Sequence, residues 1–73
     1  MYGLTRESYA TLLVEQNGRC AICRELMSVP QVDHIHGTKI VRGLLCKKCN
    51  MAIGLLQDNP SIVQAAFTYL KGY

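Results

Sequence analysis

Residues 32–50, VDHIHGTKIVRGLLCKKCN, put an aspartate, two histidines, two cysteines, an asparagine and four cationic side chains into nineteen positions. Two kinds of ligand chemistry are mixed in this stretch, soft thiolates and harder oxygen and imidazole groups. The thiolates have counterparts upstream. Cys20-x2-Cys23 and Cys46-x2-Cys49 stand 22 residues apart. Each CxxC presents two sulfurs to one ion, and two such knuckles complete the closed tetrahedron of a structural zinc site. A closed site leaves no position for water or substrate, so its role is to stabilise the fold. The competing readings are two local disulfides or a redox CxxC. Paired spacing, together with the lack of a basic and then apolar leader at the start, favours zinc in a reducing cytosol.

At 73 residues the chain is expected to form a single domain over 1–73, too small for two cores and short of apolar volume for one. No apolar run reaches membrane-spanning length, so no membrane partner is expected. The formal charge is +3, and four thiolates with one zinc would lower it to about +1. Distribution therefore says more than net charge. Arg19, Arg24, Lys39, Arg42, Lys47 and Lys48 fall between residues 19 and 50 against only Glu25 and Asp33, a local basic stretch suited to phosphates.

The elements are read from periodicity and caps. Residues 4–17 predict a helix capped by Thr5, with Leu4 and Tyr9 spaced as a hydrophobic staple and Tyr9, Leu12 and Leu13 on one face. Asn17-Gly18 stops it, and 28–30 is a loop. Gln31 to His36 and Lys39 to Leu45 predict a two-stranded ribbon turning at Gly37-Thr38. A second helix is expected from Lys47 to Leu56, with Ala52, Ile53, Leu55 and Leu56 turned inward and close packing at Gly54. A third starts at Asn59-Pro60, carries Val63, Ala66, Phe67 and Leu70 as an apolar stripe, and ends at Gly72. The fold class is α+β.

Asp33, His34, His36 and Asn50 form the second chemical group. Aspartate and asparagine oxygens suit Mg²⁺, which keeps most of its waters and takes few protein ligands. An imidazole can accept a proton near neutral pH. That combination serves phosphodiester hydrolysis, the ion on the phosphate and the histidine on the attacking water. Each residue also has a plainer reading: Asp33 as a partner for Arg42, Asn50 as a helix cap, a strand histidine as packing. Ideal alternation puts His34 and His36 on one face of the strand and Asp33 on the other, which a bulge would reconcile.

The leading YGLT, CAIC, VDHIHG and VRGLLCKKCN followed by GLL, together with the C-terminal helix, resemble the ββα-metal (HNH, His-Me finger) nucleases, and among them the recombination endonuclease VII family of phages. The resemblance covers nearly the whole chain. It implies a small zinc-stabilised ββα-metal domain with flanking N- and C-terminal helices, the zinc on Cys20, Cys23, Cys46 and Cys49. It further implies a catalytic Mg²⁺, or another divalent ion such as Mn²⁺, on Asp33 and Asn50, with His34 as general base and His36 assisting near the phosphate. General HNH enzymes carry a middle asparagine before the second knuckle, where this chain has IVRGLL, so some other acceptor would orient His34. In this fold the ribbon and helix straddle the DNA backbone, which makes Lys39, Arg42, Lys47 and Lys48 candidates for phosphates rather than base edges.

The expectation is therefore a DNA endonuclease that nicks or cleaves duplex DNA with little sequence preference, since the further helices of junction-resolving members are not among these residues. If phage-encoded, it would act in the host cytoplasm. The alternatives are a zinc-organised nucleic-acid-binding module that does not cut, and a thiol redox protein. The physiological substrate is open at this point, as are partners such as a second copy or phage replication and packaging proteins.

Overall fold

The computed structural model describes residues 5–35 and 37–72. His36, and Leu4 with its half of the expected staple, lie outside them. The described elements are α1 (Arg6–Glu15), β1 (Gln31–His34), β2 (Val41–Leu45), α2 (Lys47–Leu55) and α3 (Pro60–Lys71). This is a small α+β arrangement of one two-stranded antiparallel ribbon and three helices. No helix among the described residues is long and apolar enough to cross a membrane.

Helix α1 begins where Thr5 Oγ1 accepts the Ser8 N–H at 3.0 Å, satisfying one of the first-turn donors that no helical carbonyl can reach. Tyr9, Leu12 and Leu13 are its half-buried apolar residues. It closes two residues earlier than expected. Asn17 (φ 57°) and Gly18 (φ 68°) both turn left-handed, and the Gly18 N–H returns to Leu13 O at 2.8 Å.

Gln16, just beyond α1, does what a neighbouring strand would otherwise do. Its side-chain amide accepts the Leu44 N–H at 3.0 Å and donates to Leu44 O at 2.9 Å and to Arg19 O at 2.8 Å. A single side chain thereby satisfies both backbone groups of the fully buried Leu44 and ties α1 to β2. Gly43 permits the approach, because a Cβ there would stand 3.2 Å from Gln16 Oε1. Nothing in a one-sequence pattern distinguishes such a glutamine from a solvated one. Gln16→Ala is expected to destabilise the domain by about 2 kcal/mol, because it strands a buried donor. A urea midpoint shift at constant m-value measures this, and a shift no larger than that of an exposed glutamine such as Gln64 would refute it.

The ribbon pairs Gln31 with Leu45, Val32 with Leu44, Asp33 with Gly43 and His34 with Val41. Both strands are shorter than expected because the tip turns tightly. Ile35 N–H donates to Ile40 O at 2.8 Å, and the Thr38 hydroxyl and N–H both donate to Ile35 O, with Gly37 at φ 78°. Between Asp33 and His34 the register slips, so that Arg42 is an extra residue on β2. Such a bulge raises local twist and re-aims side chains. The expected conflict between Asp33 and His34 is relieved at this point: the two adjacent residues line the same cleft.

Among the described residues the buried hydrophobic ones are few: Cys20, Leu44, Leu45 and Cys49. Leu45 packs with the two cysteines, supported by Cys23, Met27, Cys46 and Ile53. Leu44, its neighbour on the strand, turns to the other face by alternation.

In α2 the inward residues are Cys49, Asn50, Ile53 and Leu56, whereas Ala52 and Leu55 are exposed, which corrects the expected face. The reason is the fixed position of Cys49 among the sulfurs, which sets the rotation of the helix so that i+4 and i+7 follow it inward. Gly54 has no neighbour within 4 Å of a notional Cβ, so it mediates no close packing. Asn59 caps α3 as expected, its Oδ1 accepting from Ser61 N at 2.8 Å, with Pro60 at the first helical position. The stripe on α3 is not buried, however. Val63, Phe67 and Leu70 are exposed, Leu70 at 71%, because none of the described elements packs closely against that helix.

Candidate functional site

The first knuckle is built by a tight turn. Ile22 N–H donates to Cys20 Sγ at 3.4 Å, Arg24 N–H to Cys20 O at 3.1 Å, and Arg24 takes φ 68° to leave the turn. The second knuckle is the start of α2. Cys46 is its N-cap, with Sγ accepting the Cys49 N–H at 3.4 Å. Ligand and cap are the same atom, so the sulfur is oriented by the helix it begins.

All four Sγ atoms lie within 4.8 Å of one another. An ion bound at about 2.3 Å sets tetrahedral sulfurs about 3.8 Å apart, and Cys23 Sγ to Cys46 Sγ is 3.8 Å. The cluster could hold a zinc ion. Two thiols of the cluster are shifted in opposite directions. Burial pushes the Cys20 thiol up, but backbone hydrogen bonds from Cys46, Cys23 and Ile22 outweigh it and bring the pKa down to about 6. Burial, then hydrogen bonds with Cys46, Cys20 and Cys23, push Cys49 up to about 12. Four sulfurs this close disfavour each further thiolate charge unless a cation stands among them.

Beside the cluster, Asp33, His34, Arg42, Asn50, Ile53, Gly54, Gln57 and Asp58 line an open cleft of about 470 Å³. Asp33 and His34 come from β1 and Asn50 from the first turn of α2, where the Asn50 N–H donates to Cys46 O at 3.0 Å. Asn50 directly follows Cys49, so the second knuckle fixes the backbone that carries it.

Arg42 bridges the two carboxylates of the cleft. Its Nε and Nη2 donate to Asp33 Oδ2 at 2.7 Å and Oδ1 at 3.0 Å, and Nη2 also reaches Asp58 Oδ1 at 2.9 Å and Oδ2 at 3.2 Å. Hydrogen bonds donated to these two carboxylates hold the guanidinium pKa above its ordinary value. The plainer reading of Asp33, a partner for Arg42, is what this geometry contains. Asp58 was missed from sequence. It stands in the turn between α2 and α3, brought to the cleft by consecutive left-handed residues, Gln57 at φ 62° and Asp58 at φ 53°, and by its N–H donating to Ile53 O at 2.8 Å. An aspartate before the Asn-Pro start of a helix reads as turn chemistry, and no local signal marks it as a cleft residue.

The other expected cations lie elsewhere. Lys39 is exposed beside the ribbon tip. Lys47 and Lys48 border a separate hollow with Glu25 and Gln31, where Lys48 Nζ is 3.5 Å from Glu25 Oε1. His36 falls outside the described residues.

A family model described as recombination endonuclease VII matches residues 1–72. The chain belongs to the recombination endonuclease VII family. Membership suggests a nuclease domain, as the cysteine cluster suggests zinc binding. The chain is also similar to the Gene 59 protein of Mycobacterium phage D29, 43% identical over 96% of this chain and 45% of that protein. A second Gene 59 protein, from Mycobacterium phage L5, is 40% identical over 94% of this chain and 44% of its own length. The chain therefore spans less than half the length of these curated relatives.

Proposed function

We propose that this endonuclease VII family chain is a metal-dependent DNA endonuclease of the ββα-metal (HNH) type, nicking or cleaving duplex DNA with little sequence preference. One observation carries the reading: Asp33, His34 and Asn50, from a strand and a helix far apart in sequence, line a single cleft beside the sulfur cluster. The imidazole of His34 would take the proton from an attacking water, with His36 near the phosphate. Asp33 and Asn50 supply the oxygen donors that a hard divalent ion requires, and a cation, the guanidinium of Arg42, already sits against Asp33. When bound, Mg²⁺ or Mn²⁺ would polarise a phosphate oxygen and stabilise the leaving oxygen. Zinc on Cys20, Cys23, Cys46 and Cys49 would hold β1 and α2 in register without entering the chemistry.

Lys39 and Lys47, exposed and without a carboxylate partner in the ion pairs observed, are the better candidates for DNA phosphates. Arg42 is already engaged within the cleft. Such contacts position a duplex without reading its sequence. The test is conversion of supercoiled plasmid to open circles by the zinc-loaded protein. Cleavage with Mg²⁺ or Mn²⁺ and none in EDTA is expected, and intact plasmid with every divalent ion would overturn the proposal.

A second reading draws on the bidentate Asp33 to Arg42 pair, which is the geometry of a structural ion pair. It makes the chain a zinc-organised module that holds DNA without cutting. It requires a salt-dependent mobility shift, no cleavage, and tolerance of Asn50→Ala.

A further inference from the structure

Both oxygens of Asp33 are committed to one guanidinium, and the same Nη2 is shared with Asp58. Asp33 is 13% exposed, Asp58 24% and Arg42 38%, so the three form a partly buried chain of charge, carboxylate to guanidinium to carboxylate, that opens to solvent at its centre. The bulge makes this possible. In an unbroken ladder the sequence of pairs from Gln31 and Leu45 onward would set Arg42 opposite His34, whereas here it is left out of the pairing and reaches Asp33. Asp58 is held on the far side by two residues in a backbone region that L side chains rarely adopt.

We propose that Arg42 is a displaceable internal cation on Asp33, and that Asp58 is the positioning residue that receives Arg42 when a divalent ion takes its place. The inference rests on the reading of Asp33 as an ion ligand and adds how that ligand is kept in reserve. A guanidinium fork takes one lone pair on each oxygen of the carboxylate, and a dication brought to the remaining ones is repelled by the guanidinium. That repulsion favours Arg42 yielding at least Nε from Asp33. Because Nη2 already touches both oxygens of Asp58, the guanidinium can pivot about that contact without losing its charge partner. In the absence of the ion, the two carboxylates and one guanidinium leave the cleft net negative, which discourages a phosphodiester until the ion has entered.

The experiment is Mn²⁺ binding to the zinc-loaded protein, followed by calorimetry and by the paramagnetic effect on solvent water, with zinc content and circular dichroism confirming that each variant is folded. Asp33→Asn is expected to abolish binding at this site. Arg42→Lys keeps the charge but cannot fork two oxygens, and it should tighten Mn²⁺ by about fivefold or more, with Arg42→Gln tighter still. Asp58→Asn should weaken Mn²⁺ by about fivefold in the parent and have no effect in the Arg42→Gln background. Two results would overturn the inference while leaving the ion site intact: Arg42→Lys binding as the parent does, or Asp58→Asn weakening both backgrounds equally, as charge alone requires. Mn²⁺ binding unaffected by Asp33→Asn would remove the ion-ligand reading and this inference together.

Discussion

On the proposal that the four sulfurs hold zinc, a high-affinity chelator at neutral pH is expected to abolish the cooperative unfolding transition of the domain, leaving a largely unfolded chain that refolds when zinc is returned. Fully burying a leucine contributes about 1.5–3 kcal/mol, and only Leu44 and Leu45 are buried leucines among the described residues. Fixing one residue's backbone costs about 1–2 kcal/mol. The other two buried hydrophobic residues, Cys20 and Cys49, are themselves part of the sulfur cluster, so removing the ion also removes the reason for burying them. Structural zinc at neutral pH contributes about 10–16 kcal/mol of apparent binding energy, larger than anything else this core offers. Far-UV circular dichroism and the spread of amide resonances would report the loss. Cys49→Ser should reproduce it, since Cys49 joins the cluster to the start of α2. A chelated protein that still melts cooperatively at its former temperature would show that the apolar contacts suffice and that the cysteines are dispensable.

The second large effect concerns chemistry with the fold left intact. His34→Ala is expected to lower plasmid nicking by about 10²–10⁴-fold, the range that a positioned general base contributes, while zinc content and the unfolding midpoint stay close to those of the parent. The contrast with Cys49→Ser is the informative part, because one variant loses structure and activity together and the other loses activity alone. His34 is half-buried at the end of β1, outside the small core, which is why truncation there should be tolerated. Nicking at the parental rate would remove His34 as the base and shift attention to His36.

Much of this arrangement could be read from the residues. The two CxxC pairs fix a four-sulfur cluster by spacing alone, and Thr5, Asn59 and Pro60 announce helix starts through local hydrogen bonding that needs no tertiary context. Asp33, His34 and Asn50 line one cleft, as the tie between their elements through the paired knuckles leads one to expect. What was not legible depends on rotation and register. The inward face of α2 follows from where Cys49 is pinned, and hydrophobic periodicity could not tell that phase from one led by Leu55. The α3 stripe has strong periodicity and still lies exposed, since periodicity shows that a face is apolar and says nothing of what covers it. Gln16 and Asp58 act through contacts 28 and 16 residues away in sequence, to Leu44 and Arg42, and neither has a local signature.

The slip in the ribbon has a consequence for how the cleft responds to changes in chain length. Residues 35 and 40 close the tip, and the pairing there is one residue out of step with the pairing at Gln31 and Leu45. The two ends of the hairpin therefore disagree by one, and Arg42 absorbs the difference. Adding one residue between Gly37 and Thr38 would give the tip room to re-pair Ile35 with Val41 in place of Ile40, and that re-pairing would draw Arg42 into the ladder opposite His34, away from Asp33 and Asp58. The length of an exposed turn thus bears on whether Arg42 reaches Asp33, and a single-residue insertion at the tip is expected to act on the cleft from outside it.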